Sequence, residues 1–282
     1  MHINVPEFET SFMAPHKSGS KIVYAALIET LESHTIDYKI IGNNCDTHKN
    51  CILFVRNPVN RFFSSYDWYI KMTEQINPSN QKLSNTEKNN IIESIKTFND
   101  LEITSLSSFI EKYIRFINNS SDTHYLPQSS FFLTKSGDMG TKANLNFNLR
   151  KEYDNRFENN NYKFFRIEEI DHIIKINNSF LKDNEFHFGL TKKENLDKFK
   201  LKPFTFFNNF PKTFNHMFMV FYTYFKDFYK ESHHSKNPNY YYDEITLAEY
   251  QTVLRMFKKE LDFYGYDEEL NYDKNKFKNT LV

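Results

Sequence analysis

The chain has 282 residues, and its 36 Lys+Arg balance its 36 Asp+Glu, so the formal net charge is zero. That balance gives no bulk electrostatic argument for binding nucleic acid or an anionic membrane surface, and Cys45 and Cys51, the two cysteines, are too few for a disulfide scaffold at this length. The sequence has no run of eighteen apolar residues and no basic segment leading into an apolar one, which points to a soluble, cytoplasmic protein without a membrane span or signal peptide.

Read in chain order, Glu7 to Ala14 has strand character and stops at Pro15. The polar loop His16-Lys17-Ser18-Gly19-Ser20-Lys21 follows, and the apolar spacing from Ile22 to Leu31 predicts a helix. Tyr38 to Ile41 is a short strand. Cys51 to Val55 (CILFV) is unbroken apolar sequence, which suits a central strand of a parallel sheet, buried on both faces. Asn57 can cap a helix and Pro58 suits its first turn, so a helix is expected from Pro58 to about Met72. Residues 77–90 sit in a polar stretch without aromatics and read as a surface insertion. A helix over 105–117, a loop at 124–132 leading into an extended piece, and a strand over 162–167 with a helix opening at Glu168 come next. Helices over 215–229 and 247–263 and a loose tail at 271–282 complete the chain. The 30 Phe and 18 Tyr predict a core built of aromatics as much as aliphatics. Strands alternating with helices predict an α/β fold, with one domain over 1–270.

Two segments carry chemistry. The Lys17–Lys21 loop lies between a strand and a helix, where backbone N–H groups and the helix dipole favour an anion. Gly19 allows close approach, Ser18 and Ser20 supply hydroxyls, and Lys17 supplies a charge. The same residues also suit an ordinary serine-capped turn. The loop is not a Walker loop, because Lys17 precedes the glycine and no Gly-Lys-Ser/Thr follows. In the second segment Arg56 ends a buried strand, and Ser64 stands eight residues on, about two helical turns along the next helix. An arginine fork and a helix hydroxyl can hold one phosphate, although an arginine–carboxylate pair and a serine bonded to its own backbone would have the same sequence. No Cys/His group has zinc-ligand spacing, and His233-His234 reads as a surface loop.

Lys17-Ser18-Gly19-Ser20-Lys21 and Arg56-Asn57-Pro58-Val59-Asn60-Arg61-Phe62-Phe63-Ser64-Ser65-Tyr66 together resemble the sulfotransferases, most closely the carbohydrate sulfotransferase branch. His124-Tyr125-Leu126-Pro127-Gln128, Phe164 to Glu168 and Leu261 to Tyr266 extend the resemblance along the chain. Lys21 in place of a threonine, His16 between Pro15 and Lys17, and Asn57 in place of an aspartate depart from the family pattern. The resemblance implies a P-loop-like three-layer fold with a central parallel sheet flanked by helices. It also implies a sulfuryl donor, 3′-phosphoadenosine 5′-phosphosulfate (PAPS), and transfer to a hydroxyl of a glycan or small molecule without a metal. Lys17, Ser18, Gly19, Ser20 and Lys21 would hold the 5′-phosphosulfate, and Arg56 and Ser64 the 3′-phosphate. Lys17 would also stabilise the leaving oxygen. His48 or His124 would be the base, with a carboxylate such as Glu29 as a further possibility. The competing readings are a P-loop-like kinase, which needs Mg²⁺ ligands that the sequence does not display, and an inactive nucleotide-binding module.

Overall fold

A computed structural model of the chain describes residues 2–33, 35–41, 50–75, 85–119, 122, 124–133, 149–156, 161–167 and 243–266. The chain divides into two compact units: Met1–Arg56 with Phe157–His234, and Asn57–Arg156 with Ser235–Val282.

The first unit is a five-stranded mixed sheet with a helix. Its elements are β1 (His2–Val5), a 3₁₀ turn (Pro6–Phe8), β2 (Thr10–Met13), α1 (Ser20–Ser33), β3 (Lys39–Ile41), β4 (Asn50–Val55) and β5 (Asn161–Arg166). The strand order is β3-β1-β2-β4-β5. β2, β4 and β5 run parallel, with Met13 opposite Leu53 and Leu53 opposite Phe164. β1 is antiparallel to both β2 and β3. The connections explain the difference. β1 and β2 are joined by a tight turn, in which Glu9 adopts φ 45° and its N–H bonds the Pro6 carbonyl at 3.0 Å. Such a link reverses the chain, whereas α1 lies in the longer crossover that a parallel neighbour requires.

The fold is α/β as expected, but the sheet is mixed: β2, β4 and β5 form a parallel part, and β1 pairs antiparallel with both of its neighbours. β1 was not anticipated, because His2 and Asn4 interrupt its apolar residues. The expected strand at 7–14 shortens to β2, because Pro6 opens a 3₁₀ turn that takes Glu7 and Phe8. Cys51 to Val55 are all buried, as an unbroken apolar run between two neighbouring strands should be. On α1, Val23, Ala26, Leu27 and Leu31 are fully buried, a stripe at helical spacing.

The second unit is helical: α2 (Pro58–Gln75), α3 (Asn85–Asp100), α4 (Leu106–Asn119), α5 (Gln128–Leu133), α6 (Leu149–Arg156) and α7 (Leu247–Tyr264). Its core is aromatic, as the composition predicts. Phe62 of α2 lies 5.1 Å from Phe109, 5.0 Å from Tyr113 and 5.8 Å from Phe257, so α2, α4 and α7 meet around one ring. Asn57 caps α2, its Oδ1 accepting from the N–H groups of Val59 and Asn60. Thr246 and Glu249 form a capping box at the start of α7, and Gly265 at φ 72° ends it.

α3 begins inside the stretch read as a surface insertion, of which residues 85–90 are helical. α5 is a helix within the segment expected as a loop, and α6 was not foreseen. The expected helix over 215–229, the helix opening at Glu168 and the tail at 271–282 lie outside the described residues. Among the described residues, no helix is long and apolar enough to cross a membrane.

Candidate functional site

In the first unit, the loop that leaves β2 is tied down before it turns. The Tyr24 hydroxyl of α1 accepts from the Ala14 N–H at 2.8 Å and donates to the Ala14 carbonyl at 3.0 Å. Burial pushes the Tyr24 phenol well above its ordinary pKa, with the Ala14 bond opposing the shift, so the hydroxyl keeps its proton for this clasp. The chain then turns at Pro15, whose carbonyl accepts the Ser18 N–H at 3.2 Å.

Two residues of the loop take the left-handed conformation, Lys17 at φ 65° and Gly19 at φ 67°. Gly19 is required twice over. Its φ disfavours any residue with a Cβ, and an added Cβ would lie 3.3 Å from Ile167 Cδ1, just beyond β5. The first α-helical hydrogen bond runs from Val23 N–H to the Gly19 carbonyl. The N–H groups of Ser20, Lys21 and Ile22 thus precede the helical ladder, at the positively polarised end of α1.

Arg56 follows β4 directly, and its Nη1 donates to the Lys17 carbonyl at 3.1 Å. Two segments 39 residues apart in sequence therefore meet at the carboxyl ends of neighbouring parallel strands. Lys17, Ser20 and Arg56 are half-buried, while Ser18 is fully buried. A hydroxyl without solvent exposure is poorly placed to meet an incoming anion. Lys17, Ser20, Arg56 and the helix N–H groups are the more accessible donors, and together they have the chemistry of an oxyanion cradle.

Of the other segments singled out from the sequence, 164–167 lies at the end of β5 in the first unit, and the rest of their described residues lie in the second unit, where several are structural. Ser64 is half-buried on α2, while Tyr66 is buried in the aromatic core. Burial, reinforced by Glu244, Tyr69 and Asp67, pushes the Tyr66 phenol up to about 12. Arg61 is buried and donates through Nη1 to the Leu126 carbonyl. Glu260 of α7 is buried beside it, and its Oε1 accepts the Ser129 N–H at 2.7 Å. Burial raises the Glu260 pKa, against the Ser129 bond and the Arg61 charge. Arg61, the 126–129 segment and Glu260 of α7 thus form one buried polar knot. Glu260 escaped the sequence reading because it occupies an apolar-face position of a helix, where a lone glutamate gives no signal without its partners.

His124 stands on the loop before α5. Its Nδ1 lies 2.6 Å from Asp122 Oδ1, and its own backbone N–H donates to the same oxygen at 2.9 Å. Asp122 Oδ2 accepts from the Ser94 hydroxyl of α3 at 3.1 Å. Trp68 stacks on the imidazole, with ring centroids 4.7 Å apart and an interplanar angle of 13°. Asp122 and Ser94 were not singled out from sequence. The Asp-x-His spacing, which permits an Asx turn, is the signal that could have found Asp122. His48 and Glu168 lie outside the described residues, and Glu29 is an exposed residue of α1.

No family model, curated protein or solved structure matches the chain.

Proposed function

We propose that this chain is a PAPS-dependent sulfotransferase with a P-loop-like three-layer fold, acting on a hydroxyl of a carbohydrate or small molecule. The observation that carries this reading is the Arg56–Lys17 contact. It joins an anion-binding loop to an arginine at adjacent carboxyl strand ends, the edge where open α/β sheets take their ligands. The donor requires two anionic contacts, one at its 5′-phosphosulfate and one at its 3′-phosphate. The loop and Arg56 supply donor chemistry for both.

In the reaction, the acceptor oxygen bonds to sulfur as the sulfur–oxygen bond to the donor's phosphate breaks, and the hydroxyl proton passes to a base. Lys17 would neutralise charge on the leaving phosphate oxygen, and the N–H groups opening α1 would hold the 5′ oxyanions. A histidine, His48 or His124, would be the base.

The reading is tested by calorimetric titration with adenosine 3′,5′-bisphosphate, adenosine 5′-phosphate and ATP, each with and without Mg²⁺. Labelled sulfate transfer from PAPS to a panel of saccharides completes the test. The bisphosphate should bind at least about tenfold tighter than the monophosphate, a difference of about 1.4 kcal/mol, and should not need metal. Preferential, Mg²⁺-dependent binding of ATP would replace this reading with the kinase. Bisphosphate binding without transfer to any acceptor would favour an inactive nucleotide-binding module.

A further inference from the structure

We propose that Tyr24 is the positioning residue of the anion-binding loop: its hydroxyl holds the carboxyl end of β2 against the start of α1 and so sets the loop for an oxyanion. The inference deepens the reading above and rests on it for the ligand concerned. Every residue of the clasp belongs to the first unit.

β2 ends at Met13, which pairs with His2 on one side and Leu53 on the other. Ala14 is the first residue past that ladder, and it is buried. A buried backbone N–H and carbonyl both need partners. One side chain supplies the two: the Tyr24 hydroxyl accepts from the Ala14 N–H at 2.8 Å and donates to the Ala14 carbonyl at 3.0 Å. The single phenol proton is thus committed to Ala14, so Tyr24 has none to give an anion. That separates bracing the loop from binding the ligand, which Arg56 does not, since it is assigned to both.

The clasp closes over a short and strained turn. Tyr24 stands one helical turn past Ser20, the first residue of α1, and only residues 15–19 lie between the strand end and the helix. Within them Lys17 and Gly19 are left-handed, a conformation that costs energy at a lysine. Such a conformation persists where its surroundings over-determine it. Here Tyr24 fixes the entry, the Pro15 carbonyl accepts the Ser18 N–H, and Arg56 holds the Lys17 carbonyl. Tyr24→Phe keeps the ring and its packing but leaves both Ala14 groups without the hydroxyl, so the loop and the N–H groups that open α1 lose their fixed start.

The experiment is calorimetric titration of the full chain with inorganic pyrophosphate, adenosine 3′,5′-bisphosphate and adenosine 3′-phosphate, for wild type, Tyr24→Phe and Leu31→Val. Leu31 is fully buried at the far end of α1, so its variant loses stability without touching the loop. Tyr24→Phe should weaken pyrophosphate and the bisphosphate by about 10–100-fold and leave adenosine 3′-phosphate, which lacks the group that the loop holds, unchanged. Leu31→Val should lower the urea midpoint and leave all three affinities unchanged. Amide hydrogen exchange of the wild type serves if Tyr24→Phe does not fold. Saturating pyrophosphate should slow exchange at Ala14 by at least about tenfold more than at Leu31, because a ligand that needs the clasp must in turn strengthen it.

Wild-type affinities in Tyr24→Phe overturn the proposal and leave the sulfotransferase reading standing. Equal losses on all three ligands, or losses in Leu31→Val that match those in Tyr24→Phe, also overturn it, because they reduce Tyr24 to general stability. So does exchange at Ala14 that pyrophosphate slows no more than at Leu31. Pyrophosphate binding that depends on Tyr24, without tighter binding of the bisphosphate than of adenosine 5′-phosphate, upholds the positioning role and removes the sulfotransferase reading. A wild type that binds none of the ligands removes both.

Discussion

Glu260 accepts the backbone N–H of Ser129 at 2.7 Å across 131 residues of sequence, with both residues buried. The bond ties α7 to the start of α5, in the neighbourhood of the buried Arg61 guanidinium. Removing the carboxyl leaves the buried Ser129 N–H unsatisfied, so Glu260→Ala should destabilise the fold by about 1–3 kcal/mol, measured by urea unfolding at neutral pH.

The same residue gives stability a pH dependence. Burial holds the folded Glu260 pKa above its unfolded value, with Ser129 and Arg61 opposing the shift. A raised carboxyl retains its proton in the fold where the unfolded chain has released it. Its contribution is thus fully present below the unfolded pKa, about 4.3, and is lost as pH rises through the folded value. In pH-dependent urea unfolding, Glu260→Gln should remove this descending component. An unchanged profile would refute the assignment.

Asp122 should act in the opposite direction. Its folded pKa is lowered, because the His124 and Ser94 contacts outweigh burial. The stability it contributes is present above the unfolded value, about 3.9, and is lost as pH falls through the folded one. Asp122→Asn should be less sensitive to acid than the wild type below about pH 4, as followed by near-ultraviolet circular dichroism.

How much of this was legible in the sequence depends on the range of the contacts. β4, α1, α2 and α7 were readable because their signals are local: an apolar run, a helical stripe, an Asn-Pro start and a glycine stop. The aromatic core was readable from composition. β1 and α6 were missed because short polar segments become strands or helices only through partners elsewhere. For the site, the loop and Arg56 were each visible, but no local signal could show that the Arg56 guanidinium reaches the Lys17 carbonyl. The roles of Arg61 and Glu260 were hidden for the same reason, since a buried charge is recognised by its partner.

Lys17 combines backbone strain with a proposed role in transfer. A lysine at φ 65° costs about 1–2 kcal/mol relative to a relaxed conformation, and glycine does not carry that cost. Lys17→Gly should therefore be more stable than Lys17→Ala by about 1 kcal/mol. Both should lose turnover by more than they lose affinity for adenosine 3′,5′-bisphosphate, because the ammonium acts on charge that develops during transfer. Parallel losses of affinity and turnover would make Lys17 a simple binding residue.

Arg56→Ala should weaken adenosine 3′,5′-bisphosphate by about 2–4 kcal/mol and adenosine 5′-phosphate by less. The smaller effect reflects the lost support of the loop through the Lys17 carbonyl. Equal losses on both ligands for Arg56→Ala would leave Arg56 with the loop-bracing role alone.

The aromatic core of the second unit has a consequence for biosynthesis. Tyr250, Val253, Phe257 and Leu261 of α7 complete a cluster drawn mainly from α2, α3 and α4. While the ribosome is still translating the intervening residues, Phe62, Phe109 and Tyr113 lack the helix that covers them. The unit cannot close until α7 has emerged, so its nascent helices present exposed rings for much of synthesis and are natural clients for chaperones that bind apolar segments.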